Sequence, residues 1–300
     1  MDMMLYVVPY FLAARVTVDM PRGYWPEYTF LVQVNSTAIV EESYHSVRLN
    51  IASKLVCQPK GYQVLSCQFR DSEAESFISD SHDPGEPGLP ASPVHRQKAY
   101  EISQDRFEIK FSSHGLEGLV VNENIQPREL DMIRVIVGQL NVASVVDGYG
   151  DAFELMENFT QGECLTFFYV NRNIVRPRLP AGRGYVLQIT LGLGEDDLVQ
   201  IRKVRNLHMC TYKVPYYFGS ADSVRGSSDR VPTVNSSESH IVVTSTEFLS
   251  GSAYVIRIGG SSQGVTLYEN VNLRLESILP AKGHPPEVRD PEPASMFIGG

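Results

Sequence analysis

Alternation with a period of two runs through almost the whole of this chain, and a single stretch breaks it. That period sends successive side chains to opposite faces of a strand. Tyr28, Phe30, Val32 and Val34 alternate with Thr29, Leu31 and Gln33, and Val47, Leu49 and Ile51 with Arg48 and Asn50. Phe107-Ile109-Phe111, Leu165-Phe167-Tyr169, Val255 with Arg257, and Val271-Leu273-Leu275 repeat the pattern. Gly, Ser, Asn and Pro cluster between these runs, so the chain reads as mainly β, an antiparallel sheet with many hairpins.

The exception is Gln126 to Ala143. Pro127 suits a first helical turn, and Glu129 complements the positive end of the helix dipole. Asp131, Arg134, Gly138 and Asn141 fall on one narrow polar stripe, while Met132, Ile133, Val135, Ile136, Val137, Leu140 and Val142 cover the rest of the circumference. Such a helix is buried on nearly all sides. A barrel of about ten strands or more is too wide for its own side chains to fill, and a helix about 10–12 Å across is the right plug. The expected fold is therefore an antiparallel, barrel-like sheet of about ten or eleven strands around one central α-helix.

Composition sets the outer limits. A hydrophobic content of 43% in 300 residues can build a large core, and this barrel domain is expected over residues 21–280. A net charge of −9 argues against nucleic acid as a partner. Residues 71–98 open on an acidic, Pro- and Ser-rich stretch, and 220–239 are rich in Ser; both read as mobile insertions. The tail, 281–300, reads as disordered. Met3 to Ala14 is the one near-continuous apolar stretch, too short to span a bilayer. Residues 1–20 are open to three readings: a signal peptide, an incomplete N-terminus or a first strand.

Compartment is argued from other residues. Cys57, Cys67, Cys164 and Cys210 show no CxxC spacing, so two disulfides are expected, their connectivity open. Asn35, Asn158 and Asn235 each head an N-x-[ST] sequon and are candidate glycosylation sites. Both features point to a secreted, extracellular protein.

Chemical motifs fail on context. Gly260-Ser-Ser262-Gln-Gly264 has the spacing of a nucleophile elbow, but strand alternation resumes at Val265 where a helix is required. Gly192-Leu-Gly194 lacks the third glycine and crossover of a dinucleotide loop. The seven histidines show no metal-ligand spacing. No catalytic, metal or cofactor site is expected. Charge is more informative: between Cys164 and Val214 eight basic residues face three acidic ones, +5, leaving −14 for the rest. Arg172, Arg176, Arg178, Arg183, Arg202, Lys203 and Arg205 are candidate partner-binding residues, suited to carboxylates, sulfates or phosphates. Alternation puts Lys203 and Arg205 on one face and Arg202 on the other.

The order of elements carries a resemblance. Tyr24-Trp25 and Tyr28-Thr-Phe30 precede Phe107-Glu-Ile-Lys-Phe111, Gly115-Leu and Gly118-Leu-Val-Val, and the Pro-initiated helix. Gly162-Glu-Cys164-Leu-Thr166-Phe-Phe-Tyr169 and Val204-Arg-Asn-Leu-His-Met-Cys210 follow, then the strands of Tyr254 to Ile278. Over residues 25–278 this resembles the N-terminal barrel domain of the large lipid transfer proteins, the family of vitellogenin, apolipoprotein B and microsomal triglyceride transfer protein. Tyr169 lies one residue later than the family's strand motif, and Arg172 to Gly184 looks like an insertion. The resemblance implies a disulfide between Cys164 and Cys210, which leaves Cys57 and Cys67 as the second pair by default. It also implies a lipid-transport context, with the lipid cavity in later domains of the family. The expected function is a secreted, non-enzymatic module that binds a lipoprotein-type cell-surface receptor or an acidic glycan, meeting lipid only through a larger assembly. The alternatives are a fragment of a full-length lipid carrier and yolk nutrient protein, and a β-barrel enzyme.

Overall fold

The computed structural model describes residues 6–8, 12–15, 26–40, 46–60, 63–79, 95–98, 102–112, 115–142, 151–173, 186–188, 198–214, 216–218, 232–244, 247–259 and 264–298. Long strands dominate: β3 (Pro26–Val40), β4 (Ser46–Pro59), β5 (Val64–Ser79), β7 (Phe107–Ser112), β8 (Gly115–Asn122), β9 (Ala152–Phe159), β10 (Gly162–Asn173), β12 (Leu198–Lys213), β13 (Pro232–Thr244), β14 (Phe248–Ile258), β15 (Val265–Pro280) and β16 (Pro291–Ser295). They form one antiparallel path in the order β16-β8-β7-β5-β4-β3-β15-β14-β13-β12-β10-β9, and the short β6 (His95–Lys98) pairs with β5 off that path. A separate small sheet joins β1 (Tyr6–Val8), β2 (Leu12–Arg15) and β11 (Val186–Gln188).

The alternating residues build the core from the predicted faces. Tyr28, Phe30, Val32, Val34, Leu49, Ile51, Phe107, Ile109, Phe111, Val271 and Leu273 are all buried. Two phases are reversed: on β14 Tyr254, Ile256 and Ile258 are buried and Val255 and Arg257 take the outer face. On β10 the inward residues are Cys164, Thr166, Phe168 and Val170, and Leu165, Phe167 and Tyr169 take the outer face, with Tyr169 exposed. An all-apolar run, Leu165 to Val170 broken only by Thr166, carries no phase of its own, and the cross-strand disulfide decides it.

The helix α1 spans Pro127–Val137 and tightens into a 3₁₀ turn at Gly138–Leu140. Every residue from Met132 to Val137 is buried, including Arg134, so the helix lies inside the wall. Its polar stripe explains where the sheet opens. β9 and β16 are the two ends of the path and share no ladder, so the sheet curls around the helix in a barrel-like way but is not closed into a barrel. Arg134 Nε donates to the Ser295 carbonyl at 2.9 Å, and its Nη1 reaches Asp131 at 2.7 Å. A Cβ on Gly138 would lie 3.0 Å from Thr160 Cγ2, so glycine is what lets the helix approach the β9–β10 turn. The Ile298 amide donates to the Thr160 carbonyl at 2.9 Å across the seam. Asp131, Arg134 and Gly138 therefore face the gap.

The tail corrects an expectation. Residues 281–298 are ordered: β16 pairs with β8, and Ala281, Val288, Met296 and Ile298 are buried. Pro291 and Pro293 share one parity, so both missing N–H groups fall on the same side of this edge strand. Glu292 and Ala294 keep the donors for β8. Proline-rich composition suggested disorder, but the segment is an edge strand that seals the seam.

The two insertions are corrected in part. Residues 71–79 belong to β5, with Ala74 buried and Asp71 and Glu73 exposed, so the acidic run there is the solvated face of a strand. Residues 232–239 belong to β13, paired with β14. Residues 80–94 and 219–231 lie outside the described residues. The same holds for Ser261 to Gln263 of the glycine-flanked serine motif, whose flanking strands β14 and β15 pair antiparallel.

Candidate functional site

Strand parity places charged residues in the interior. On β12 the inward set is Val199, Ile201, Lys203, Arg205 and Leu207, and on β9 Glu157 occupies the inward phase with Phe159. Lys203 and Arg205 are 1% and 8% exposed. This corrects their reading as partner-binding cations: the two do share a face, but it is the inner one. Residue type suggested a surface, and parity overrides it.

Glu157 joins the two cations. Lys203 Nζ lies 2.5 Å from Glu157 Oε1 and donates to the Asn141 carbonyl at 2.9 Å. Arg205 Nη2 lies 3.3 Å from Glu157 Oε2. The Arg205 Nη1 group donates to Ser237 Oγ at 3.2 Å and Ser239 Oγ at 2.9 Å. Ser239 shares a hydrogen bond with Ser252, which donates to Gln139 Oε1 on the 3₁₀ turn at 2.9 Å. One polar network thus ties β9, β12, β13 and β14 to the end of the central helix. Aromatic faces complete it, with Lys203 5.3 Å from the Phe168 ring centre and Arg205 4.5 Å from that of Phe159.

The environment acts differently on the two ends of the ion pair. Burial raises the affinity of Glu157 for a proton, but Lys203 and Arg205 together outweigh it and hold the carboxyl below its ordinary range. Burial lowers the Lys203 ammonium below its ordinary value, since it shares one carboxylate with Arg205 and feels that second cation.

The remaining candidate residues separate. Arg202, outward on β12, pairs with Glu238 at 2.9 Å, and Arg172 pairs with Asp151 at 3.0 Å. Arg176, Arg178 and Arg183 lie outside the described residues. Cys57 is bonded to Cys67 and Cys164 to Cys210, and each pair stands directly opposed in register. Asn35, Asn158 and Asn235 are exposed. Among the described residues, no cluster of His, Cys, Asp and Glu could hold a metal ion, and no helix is long and apolar enough to cross a membrane.

Space in the interior is small. A partly open cavity of about 40 Å³ lies within the polar network, between Gln139, Glu157, Lys203, Arg205 and the inner serines, with Met296 and Phe297 along one side. Two larger clefts are open. One of about 410 Å³ sits at the mouth where α1 enters, over Phe107 and Ile133 and beside Arg106 and Glu129, and burial raises the Glu129 carboxyl there. The other, about 350 Å³, lies on the outer face around Gly251, His240 and Arg202.

Comparison with known proteins places this architecture. The profile of the vitellogenin N-terminal domain matches residues 27–282. The chain belongs to the vitellogenin N-terminal domain family. A solved structure of lipovitellin, titled for its lipid–protein interactions, superposes with a TM-score of 0.61 at 11% identity over 92% of this chain. This chain spans 27% of that protein's length. The vitellogenin-type domain seen here is thus the N-terminal module of the large lipid transfer protein family, and β16 lies just beyond the matched span.

The signal for the buried network was present in the residues. Val199-x-Ile201-x-Lys203-x-Arg205-x-Leu207 is one unbroken parity, with two cations in phase with three apolar residues. Two like charges at core positions require an acidic partner. Glu157, in phase with Phe153, Leu155 and Phe159, is the matching outlier.

Proposed function

We propose that this domain serves lipid transport as a secreted partner-contact module, and not as the container of the lipid. The observation that carries the reading is the filled interior. Helix α1 fills the interior and leaves a cavity of about 40 Å³ at its end. The clefts of about 410 and 350 Å³ open at the mouth and on the outer face and have room for a small molecule at most, far from the bulk lipid load of a carrier. Contact then falls to the outer face, with a lipoprotein-type cell-surface receptor or an acidic glycan as the partner. Arg172, Arg176, Arg178, Arg183 and Arg202 are the candidate cations, now without Lys203 and Arg205. Heparin is a direct probe of this surface. Retention on a heparin column should weaken with salt and fall further on replacing Arg176, Arg178 and Arg183 by Ser. Lipid extraction of the purified chain after incubation with phosphatidylcholine vesicles should recover no stoichiometric phospholipid. Stoichiometric lipid would overturn the reading.

Secretion and glycosylation belong to the same proposal. The three sequon asparagines are solvent-exposed on strands, where a glycan projects without disturbing the core. Expression through a secretory pathway should yield a chain that loses mass in up to three steps on enzymatic deglycosylation. Each Asn→Gln change at 35, 158 or 235 should remove one step. A secreted chain with no mass change would refute the assignment.

A further inference from the structure

The cavity behind the seam is electrically incomplete. Two cations and one carboxylate line it, together with the phenol of Tyr254. With Lys203 and Arg205 charged, the enclosure carries one excess positive charge at positions removed from water. An uncompensated charge in such a place is strongly unfavourable. A hydrogen-bond donor is left over as well. Arg205 Nε–H is fully buried and has no partner, although Nη1 donates two hydrogen bonds and Nη2 lies 3.3 Å from Glu157 Oε2, an oxygen that accepts no hydrogen bond.

We propose that this cavity is a binding site for one small monovalent anion of the halide class, held by Arg205 and Lys203. The volume suits the charge. About 40 Å³ admits a halide or a few water-sized particles at most, and excludes sulfate-bearing or phospholipid head groups. Seryl hydroxyls add adaptable donors: Ser239, Ser250 and Ser252 line the same space, and a hydroxyl rotates to suit the occupant. An anion placed here completes the Arg205 donor set and brings the cluster to neutrality. Water alone would satisfy the Arg205 Nε–H and the unpartnered Asn141 Oδ1, but it would leave the charge standing. Loss of the Lys203 proton would remove the charge without any ligand. These two are the competing outcomes of the test.

The seam borders the cavity. Met296 and Phe297, which follow β16, and Thr160, whose carbonyl accepts the Ile298 amide, form the wall of the cavity on that side.

The experiment uses bromide as the probe. Crystals of the intact chain soaked in sodium bromide should give an anomalous peak within hydrogen-bonding distance of Arg205 Nε. In solution, at one fixed ionic strength, the melting temperature in chloride or bromide should exceed that in gluconate, by about 2–4 °C for millimolar affinity. Arg205→Gln should abolish this preference among anions. Should that variant fail to fold, the wild-type measurements decide alone. Water density with no anomalous peak, or a melting temperature indifferent to the identity of the anion, would overturn the proposal.

Discussion

Glu157→Gln is expected to cost this domain about 3–5 kcal/mol, the scale seen when one partner of a buried ion pair is removed and the other charge is stranded. Here two charges are stranded, since Glu157 is the carboxylate shared by Lys203 and Arg205. Against a total stability of about 5–15 kcal/mol, that loss moves the urea midpoint far toward zero. Replacing all three residues by apolar ones of similar volume, Glu157→Leu with Lys203→Met and Arg205→Met, should restore the midpoint or raise it. A single variant Glu157→Gln melting with the wild type would show that the network is not energetically coupled. The pH dependence follows from the same shifts. The folded-state pKa of Glu157 lies below its unfolded value, so its contribution is present above the usual carboxylate range and is lost as pH falls through the folded value. Lys203 is also shifted down, so the folded state again binds fewer protons, and its penalty is relieved as pH rises toward the unfolded value. Both terms make stability rise with pH, and Glu157→Gln should flatten the acid limb of that profile.

What the sequence revealed and what it concealed divides along one physical line. Helix α1 was legible because an all-round apolar helix has no other stable location than an interior, whatever the strands around it do. The strand faces at Tyr28 to Val34 and Phe107 to Phe111 were legible because polar and apolar residues alternate there. β10 was not, because Leu165 to Val170 is apolar on both parities apart from Thr166, and only the pairing of Cys164 with Cys210 orients it. Lys203 and Arg205 were misplaced for a different reason. A cation is usually at the surface, and that expectation was set above the parity of Val199, Ile201 and Leu207. The C-terminal strand was hidden by composition: Pro291 and Pro293 signal disorder on average, yet are compatible with an edge strand when their parity matches its free side. For β10 the deciding fact was a register relation between distant strands, which no local window contains, whereas for Lys203 and Arg205 the local parity was present and was outweighed by residue type.

The helix carries the other large expected effect. Ile133→Asp should abolish cooperative folding, because Ile133 is 2% exposed and packs in the apolar core, where a carboxylate would be desolvated. Arg134, the nearest guanidinium in sequence, is already committed to Asp131 and to the Ser295 carbonyl. Position 133 also forms part of the floor of the cleft at the barrel mouth, so a variant that kept its fold would do so by drawing water in from that side. Ile133→Val separates burial from fold disruption: it removes one methylene and should cost only about 0.5–1.5 kcal/mol. The wall offers no compensating contacts, since its sheet is closed across β9 and β16 by the helix stripe and the Ile298 bond to Thr160 and not by a ladder. Loss of the helix therefore removes the core and the seam together, and near-ultraviolet circular dichroism should collapse in one transition. An Ile133→Asp variant that melts cooperatively within a few degrees of the wild type would show that position 133 is not sealed in the core.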